Sequence, residues 1–600
     1  MAVPPAGQAD IMPNERKEAR ETQLRETVQV RLPDGRVLEG ERETPLVEFL
    51  RAAFPNRKAD PPMAAIVGET LRELAWPVPR DADVTPVFLS DSDGMRIYSR
   101  SLSFLLVVAA HALFPEARVF IDYSVPYGGY FCRVENRPPF SSEELGQLKE
   151  RMRTLVQEDQ PIERHRLSVD EARALFLSRG EKDKVRLLAD LKDEHFHLYN
   201  LDGFLDSFYG YMVPSTGCLR VFSLEPFPPE GFVLRFPRRE DLTKILPPQR
   251  FTALREVFNE YGKWLDVLGV RDVGLLNEAI SGGRIEQVLL VSEALHEKRI
   301  AEIARLVAVR HAEGRRLAFI AGPSSSGKTT FSRRLAIQLL AAGIHPYPIE
   351  MDDYFRPRAE LAAAERPVDF DSLEALDVPL FEETLHALLA GRGVSLPRYS
   401  FKTGERETGP MVRLEKDEIV LVEGIHGLNP ALLASFPEGE RFRIFVSALT
   451  QLNLDSHNRV PTTDTRLLRR IVRDATYRSY TAEATLAMWE SVRQGEKQNI
   501  FPYQESADVL FNSALVYELA VLKPFADPLL RQVREPRLRI EAERLLAFLH
   551  WFQPYPAATV PGNSILREFV GGSTLSAFNC SLTSALTCKD RSLQPARQLR

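Results

Sequence analysis

Polar and apolar positions alternate near the start of the chain in a way that predicts a small sheet with one helix. From Thr27, the segment TVQVRLPDGRVLEGERETPLVEFL reads as a strand, an Asp34-Gly35 turn, a second strand and a short helix. This order predicts a β-grasp domain over residues 21–90. The charged, proline-bearing residues 1–20 are predicted to form a disordered lead-in.

Residues 91–245 combine helical and strand patterns, which predicts an α+β domain. The pattern is clearest in two helices and two strands, namely Ser101–Leu113, Ser142–Val156, Arg118–Tyr123 and Phe232–Phe236. Residues 246–312 are mostly helical and charged, and this predicts a helical connector packed against its neighbours.

From Leu317 the pattern changes to an apolar strand, a Gly/Ser loop and a helix, and a strand–turn–helix recurs around Val420–Asn429. Alternating strands and helices predict a mostly parallel sheet flanked by helices over residues 313–555. The fold class is therefore multidomain α/β, with a β-grasp and an α+β domain before this C-terminal domain. Residues 556–600 lack a period and predict a C-terminal tail whose last two dozen residues are unstructured.

Composition adds mainly exclusions. The chain has 600 residues, 44% of them hydrophobic and 27% charged, with a net charge of −6. That balance gives no general reason to expect tight binding to nucleic acid or membranes. The longest apolar run, Leu102–Ala110, is too short to span a bilayer. Without a visible signal peptide or a metal-like cysteine pattern, we expect a soluble cytoplasmic protein with reduced thiols.

The segment LAFIAGPSSSGKTTFSRRLAIQLLAAG contains a phosphate-binding loop of the form G-x-x-x-x-G-K-[ST]. It follows a predicted strand and opens a predicted helix, so backbone N–H groups and the helix N-terminus would face phosphate oxygens. A plain Gly/Ser turn is the alternative, but strand, spacing, lysine and hydroxyl all coincide here. The sequence predicts ATP and Mg²⁺ as cofactors, with nucleotide-binding residues Gly322, Ser324, Ser325, Ser326, Gly327, Lys328, Thr329 and Thr330.

An acidic pair follows the next predicted strand. Tyr347–Glu350 would deliver Asp352 and Asp353 to the same sheet edge as the phosphate loop. A carboxylate at that edge can accept the proton of an attacking hydroxyl during phosphoryl transfer. A solvated acidic turn fits this segment equally well.

The segment DTRLLRRIVRDATYRSY concentrates positive charge on one helical face. Its arginines fall at i, i+3, i+4 and i+7, and planar guanidinium groups pair well with phosphate oxygens. A solvated basic face is the alternative interpretation. The predicted phosphate-binding arginines are Arg466, Arg469, Arg470 and Arg473.

The phosphate loop, MDDYF, VDFDSLEALD, LPRYSF, VLVEGIHGL and RLLRRIVRD occur in an order that resembles uridine kinases and the wider phosphoribulokinase/uridine kinase group. The resemblance runs from Leu317 to about Pro554. It implies that Asp352 is the general base. Lys328 in the phosphate loop, and Arg469 and Arg473 on a helix of a mobile lid, would be further catalytic residues. It also implies substrate contacts from Asp371, Tyr399, Arg466 and Arg470, and Mg²⁺ binding by Thr329 and Glu423.

The acceptor half departs from the uridine kinase pattern. Asp353 doubles the usual single acid, and Arg398-Tyr399-Ser400 replaces the usual Tyr-Asp-Phe. Transfer of the γ-phosphoryl group to a nucleoside 5′-hydroxyl, as on uridine or cytidine, is the leading hypothesis. A kinase for another alcohol, such as a sugar phosphate, stays open.

The N-terminal half resembles the front of threonyl-tRNA synthetases: a TGS domain over residues 25–88, followed by the editing domain. Three segments carry that resemblance: SRSLSFLLVVAAHALFP, VPYGGYF and LDSFYGYMVPSTG. At the positions of the synthetases' His and Cys residues this chain has Arg100, Phe104, Phe208 and Met212, which form no metal site. We therefore expect a binding or regulatory surface here, without hydrolytic activity.

An RNA- or tRNA-associated regulator that uses its nucleotide as a switch is the alternative from another class. The weak basic character of residues 1–240 argues against tight, salt-sensitive contact with RNA. We expect a small-molecule acceptor as the main partner and no membrane partner. The sequence leaves open whether the chain forms a homo-oligomer.

Overall fold

The computed structural model describes residues 25–249, 251–363, 372–401 and 403–578. Its first unit contains β1 (Thr27–Arg31), β2 (Val37–Glu41), α1 (Leu46–Ala53), β3 (Pro62–Val67), β4 (Thr70–Glu73) and β5 (Ala82–Phe88). The strands form one sheet in the order β2-β1-β5-β3-β4, with β1 and β5 parallel. Phe49 and Leu50 of α1 are buried against Val28 and Val30 of β1, which gives this unit its own core.

The second unit is built from two antiparallel sheets and the helices that pack on them. One sheet has the strand order β11-β12-β7-β6 and the other β10-β9-β8; the bounds of these elements are α2 (Ser92–Leu113), β6 (Arg118–Ser124), β7 (Gly129–Glu135), α3 (Ser142–Gln157), β8 (Glu163–Ser168), α4 (Val169–Ser178), α5 (Lys182–Leu187), β9 (His195–Leu201), β10 (Phe204–Asp206), β11 (Ser223–Phe227) and β12 (Gly231–Arg235). The capping box of Ser141 and Glu144 fixes the start of α3.

The connector consists of α6 (Thr252–Leu268), α7 (Val273–Ser281) and α8 (Ile285–Ala312). Helix α8 lies against the C-terminal unit, where Glu297 accepts a 2.6 Å hydrogen bond from Arg334. Both partners lie on long helices, so this ion pair helps to fix the connector relative to the C-terminal sheet.

The C-terminal unit contains a five-stranded parallel sheet in the order β14-β17-β13-β18-β19. The bounds of its elements are β13 (Leu317–Ala321), α9 (Lys328–Ala341), β14 (His345–Glu350), α10 (Arg358–Ala362), α11 (Val378–Leu389), β15 (Val394–Ser400), β16 (Glu405–Val412), β17 (Glu418–Glu423), α12 (Pro430–Leu433), β18 (Arg441–Ser447), α13 (Thr462–Tyr477), α14 (Ala482–Asn499), β19 (Val509–Asn512), α15 (Glu518–Leu530) and α16 (Pro536–Leu549). Helices cover both faces, so β13 is buried along its whole length.

The loop after β18 joins the two halves of the molecule. Asn453 donates a hydrogen bond to the Ile121 carbonyl at 3.0 Å, and the Ser456 carbonyl accepts one from the Ile121 backbone N–H at 2.9 Å. His457 Nδ1 lies 2.6 Å from Asp206 Oδ2, and Lys184 pairs with the same buried carboxylate. These groups are satisfied only when the halves are packed together, so the interface is specific.

Part of the predicted C-terminal tail lies within the described residues. Residues 556–578, expected to belong to a tail, pack against the C-terminal unit and include α17 (Arg567–Val570). Ile565, Leu566 and Phe569 are buried there. Their apolar spacing is too short to register as a helical period. The predicted lead-in at 1–20 and residues 579–600 lie outside the described residues.

The predicted fold class is confirmed: the chain is multidomain α/β, with a flanked parallel sheet preceded by β-grasp and α+β units. No helix within the described residues is long and apolar enough to cross a membrane.

Candidate active site

Three neighbouring parallel strands deliver the predicted site to one sheet edge. β13 leads into the phosphate loop, β14 ends just before Asp352, and β17 ends at Glu423. Since all three strands run in the same direction, their carboxyl ends meet at that edge, where open α/β sheets bind ligands. The structure therefore brings together residues separated by up to a hundred positions in sequence.

Two glycines let the phosphate loop lie close to its surroundings. A Cβ on Gly322 would fall 2.0 Å from the Val446 carbonyl oxygen, so any side chain would force the loop off β18. Gly327 has φ +86°, and a Cβ there would lie 2.5 Å from Ile565. Ser325 also takes a positive φ, 58°, which is uncommon for a non-glycine residue.

The hydroxyl groups of the loop are poised for a ligand. Ser325 Oγ and Ser326 Oγ are buried and have no hydrogen-bond partner among the described residues. Buried polar groups without partners are costly, and phosphate oxygens would satisfy both hydroxyls. Within the described residues, Lys328 Nζ donates only to the Pro323 carbonyl, at 3.2 Å, which leaves donors on this ammonium group for phosphate.

Thr329 and Glu423 form the predicted metal-binding pair. Thr329 Oγ1 donates a 3.1 Å hydrogen bond to Glu423 Oε2. Burial, reinforced by neighbouring carboxylates, raises the pKa of Glu423 to about 8, while Lys328 opposes that rise. A hydroxyl next to a carboxyl group at the end of a β-strand offers the oxygen ligands that Mg²⁺ prefers, and a bound cation would favour the ionised form of Glu423.

The two aspartates after β14 have different environments. Asp353 Oδ1 accepts a 3.0 Å hydrogen bond from the Tyr399 backbone N–H and so anchors β15. Burial raises the pKa of Asp352, and positive charge from Lys328, Arg478 and Arg473 opposes the rise. Asp352 is therefore the carboxylate that faces the cationic side of the site.

Tyr399, predicted to contact the acceptor, packs beside two phenylalanine rings. Its ring centroid is 5.7 Å from that of Phe355 and 5.1 Å from that of Phe401. The Tyr399 hydroxyl is buried without a hydrogen-bond partner among the described residues. Asp371, which the sequence places near the acceptor, lies outside the described residues.

Two of the four predicted arginines lie in buried ion pairs beside the phosphate loop. Arg466 and Arg469 of α13 are buried and pair with Glu496 and Glu518 respectively. Arg466 Nε donates a hydrogen bond to the Ser324 carbonyl at 3.0 Å, so this side chain helps to fix the conformation of the phosphate loop. Removing the two carboxylates from water requires such pairing, which fixes the arginines in place.

The other two predicted arginines are closer to the reacting groups. Arg470 Nη1 donates a 2.9 Å hydrogen bond to Ser324 Oγ. Arg473 donates to Asp474, and its positive charge opposes the rise in the pKa of Asp352 that burial causes. The positive charge of Arg478 also opposes the rise in the pKa of Asp352. The sequence did not indicate Arg478, because it lies outside the i, i+3, i+4, i+7 pattern of the other four arginines.

The C-terminal segment reaches into the loop. Glu568, in α17, accepts hydrogen bonds from the Thr330 backbone N–H at 3.1 Å and from Thr330 Oγ1 at 2.9 Å. Thr330 lies in the first turn of α9, where backbone N–H groups have no intrahelical partner. The carboxylate of Glu568 thus occupies an anion position of the phosphate loop, which no pattern in the sequence indicated.

In the second unit, the four residues at the positions of the synthetases' metal-site residues contact other parts of the protein. The rings of Phe104 and Phe208 lie 5.2 Å apart, Ser101 Oγ is 3.3 Å from Met212 Sδ, and Arg100 donates to the Tyr211 carbonyl. These contacts are side-chain packing and hydrogen bonds within the unit.

Comparison with known proteins supports both resemblances. Residues 318–520 match the model of the phosphoribulokinase / uridine kinase family. The N-terminal half matches threonine–tRNA ligases: those of Burkholderia vietnamiensis (strain G4 / LMG 22486) and Paraburkholderia xenovorans (strain LB400) are each 35% identical over 198 residues, 33% of this chain. The match covers 31% of each ligase, so the chain spans about a third of these relatives' length. Both predicted resemblances are confirmed.

Among solved structures, a possible uridine kinase from Bacillus stearothermophilus is 21% identical, with a TM-score of 0.26, and covers 36% of this chain and 98% of its own. The D-glycerate 3-kinase from Cryptococcus neoformans is 14% identical, with a TM-score of 0.22, and covers 42% of this chain and 87% of its own.

Proposed function

We propose, because residues 318–520 match the phosphoribulokinase / uridine kinase family, that the chain is an ATP- and Mg²⁺-dependent kinase that phosphorylates a hydroxyl group of a small molecule. The observation that carries this proposal is the meeting of the phosphate loop, Asp352 and Glu423 at one edge of the parallel sheet. Phosphoryl transfer depends mainly on positioning and electrostatics, and this edge offers both.

On this proposal the phosphate loop holds the nucleotide. Backbone N–H groups of residues 325–330 and the hydroxyls of Ser325 and Ser326 would bind phosphate oxygens, and Lys328 would neutralise the transferring group. Thr329 and Glu423 would hold Mg²⁺, which supplies charge stabilisation when bound. Arg470 and Arg473 would add positive charge on the lid side.

Asp352 would serve as the general base. It orients the acceptor hydroxyl and takes its proton as the oxygen attacks the γ-phosphorus. Tyr399, whose hydroxyl has no hydrogen-bond partner in the part of the chain that the structure describes, would bind the acceptor beside it. We take a nucleoside 5′-hydroxyl as the leading acceptor. A sugar phosphate is the alternative, because the sequence Arg398-Tyr399-Ser400 differs from that of uridine kinases.

ATP binding on this proposal requires Glu568 to move. Its carboxylate holds the Thr330 N–H and hydroxyl that a nucleotide phosphate would need, and two anions cannot share these donors. The segment around α17 would therefore open when nucleotide enters.

The test is ADP release from ATP·Mg²⁺ with a panel of nucleosides and sugar phosphates, with Lys328→Ala as the blank. A matched pair of variants separates the two aspartates. Asp352→Asn should lower kcat by at least about 100-fold with ATP binding retained. Asp353→Asn should retain most turnover, because an amide oxygen can still accept from the Tyr399 N–H. The reverse pattern would make Asp353 the base, and normal turnover in both would refute a carboxylate base here.

A further inference from the structure

A second cavity lies away from the phosphate loop, between the two halves of the molecule. Its volume is about 720 Å³, within the range of small-molecule sites. α2 and β9 supply one wall, and the buried loop 454–461 and α16 supply the other. The proposed kinase reaction uses none of these side chains.

The arginines that line this cavity are not all neutralised. Arg96 pairs with Glu541, and Arg544 pairs with Asp464. Arg164 lies 4.0 Å from Glu73. No carboxylate of the described residues lies within 4.0 Å of the remaining two arginines, Arg100 and Arg459.

Arg100 is held by a backbone contact, and the carboxylate of Glu73 acts on it only from beyond ion-pair distance. Its Nη1 donates a 2.8 Å hydrogen bond to the Tyr211 carbonyl. Burial lowers the pKa of Arg100, and the nearby cations Arg96 and Arg544 lower it further. A guanidinium group in such surroundings favours an anion beside it, because burial of an unpaired charge is costly.

Arg459 approaches the same cavity from the other half. Its guanidinium carbon lies 4.7 Å from the ring centroid of Tyr130, and its Nη2 donates a 2.5 Å hydrogen bond to Ser124 Oγ. Arg459 Nε is buried and has no hydrogen-bond partner among the described residues. This N–H donor can therefore bind an acceptor in the cavity.

Aromatic side chains line the rest of the cavity. The ring centroids of Tyr209 and Trp551 lie 4.4 Å apart, and the ring of Phe208 stacks on His457 at 6.1 Å. Flat apolar surfaces of this kind bind the body of a ligand, while a few polar groups fix its orientation. The lining therefore combines counter-charges for an anion with a surface for a ring.

We propose that this cavity binds a small organic anion, a carboxylate or phosphate monoester on an aromatic or apolar body, with Arg100 and Arg459 as its counter-charges. Planar guanidinium groups bind both kinds of anion through paired N–H donors. The anion would satisfy Arg459 Nε and neutralise Arg100 while its body packs against the aromatic wall. This site is separate from the phosphate loop and does not depend on the proposed kinase activity.

Isothermal titration calorimetry on the full chain tests the proposal with phenyl phosphate, benzoate and the neutral benzamide. At least one anion should bind at least tenfold more tightly than benzamide, and the preferred anion identifies the natural group as phosphate or carboxylate. The titrations are repeated in Lys328→Ala, where anion binding should persist if it occurs in this cavity. Equal affinity for the anions and benzamide, or loss of anion binding in Lys328→Ala, would overturn the proposal.

Arginine variants locate the bound anion. Arg100→Gln and Arg459→Gln should each weaken anion binding by about tenfold or more, because each removes a charge-assisted contact. Arg153→Gln, an exposed arginine outside the cavity, is the matched control and should bind as the parent does. Near-ultraviolet circular dichroism checks that each variant is folded. Since the two arginines lie on opposite halves, misfolding of one variant leaves the other as a test; anion affinity unchanged in a folded variant would refute the assignment of its arginine.

Discussion

Replacing Glu568 with alanine should strengthen ATP binding. In the structure this carboxylate accepts two hydrogen bonds from Thr330, one from the backbone N–H at 3.1 Å and one from the hydroxyl at 2.9 Å. A phosphate of ATP would need the same donors at the start of α9. The parent protein must therefore break these bonds before nucleotide binds, and Glu568→Ala removes that requirement.

The magnitude follows from the strength of these contacts. A hydrogen bond to a charged group contributes about 1.5–3 kcal/mol net, and because Glu568 is only half-buried we take this single-bond range for its two bonds together. A gain of about 1.4–3 kcal/mol corresponds to about a 10- to 150-fold lower Kd for ATP. Glu568→Gln should fall between the parent and Glu568→Ala, because its amide oxygen accepts weaker, neutral hydrogen bonds.

Calorimetric titration of ATP·Mg²⁺ into the parent and the two Glu568 variants measures the effect. Glu438→Ala is the matched control, since that glutamate is highly exposed and lies on a different loop. An unchanged Kd in Glu568→Ala would show that the carboxylate does not compete with nucleotide. A higher Kd would refute the reasoning outright, because Glu568 would then contribute to nucleotide binding.

Two further predictions concern stability. Arg469→Met should lower the free energy of unfolding in urea by about 3–5 kcal/mol, because it leaves buried Glu518 without its partner; a loss below about 1 kcal/mol would contradict this. Burial lowers the pKa of His296 to about 3, so the folded protein stays uncharged there while the unfolded chain takes up a proton below about pH 6.5. This contribution to stability is full above pH 6.5 and is lost as pH falls towards 3; the loss is about 1.4 kcal/mol at pH 5.5. In His296→Gln, the free energy of unfolding in urea should therefore depend less on pH. Identical pH dependence in the parent and the variant would disprove the assignment.

The acidic pair shows how tertiary contacts distinguish two neighbouring residues that the local sequence does not. Asp352 and Asp353 are adjacent, and either could act as a base by its position after a strand. The Tyr399 N–H that binds Asp353 is 46 positions away along the chain. The contact depends on how β15 packs beside the strand end, and nothing in the local pattern encodes that packing.

The arginine helix shows the limit of periodicity. The spacing of Arg466, Arg469, Arg470 and Arg473 determines that they share one side of a helix, since 3.6 residues complete a turn. Periodicity gives the relative direction of side chains and says nothing about what faces them. The carboxylates that bury Arg466 and Arg469 are 30 and 49 positions away, on other helices.

The sequence by itself determined the features that depend on short-range geometry: the alternation of strands and helices, the phosphate loop with Lys328 and Thr329, and the meeting of loop and acids at one sheet edge. Those features follow from backbone conformation and from the fixed direction of parallel strands. Only the tertiary structure decided which charged groups meet across long stretches of chain. Glu568 lies 238 positions from Thr330, and Arg100 and Arg459 come to one cavity from opposite halves. Such pairs form because packing removes charges from water and requires partners for them, and that requirement exists only in the folded molecule.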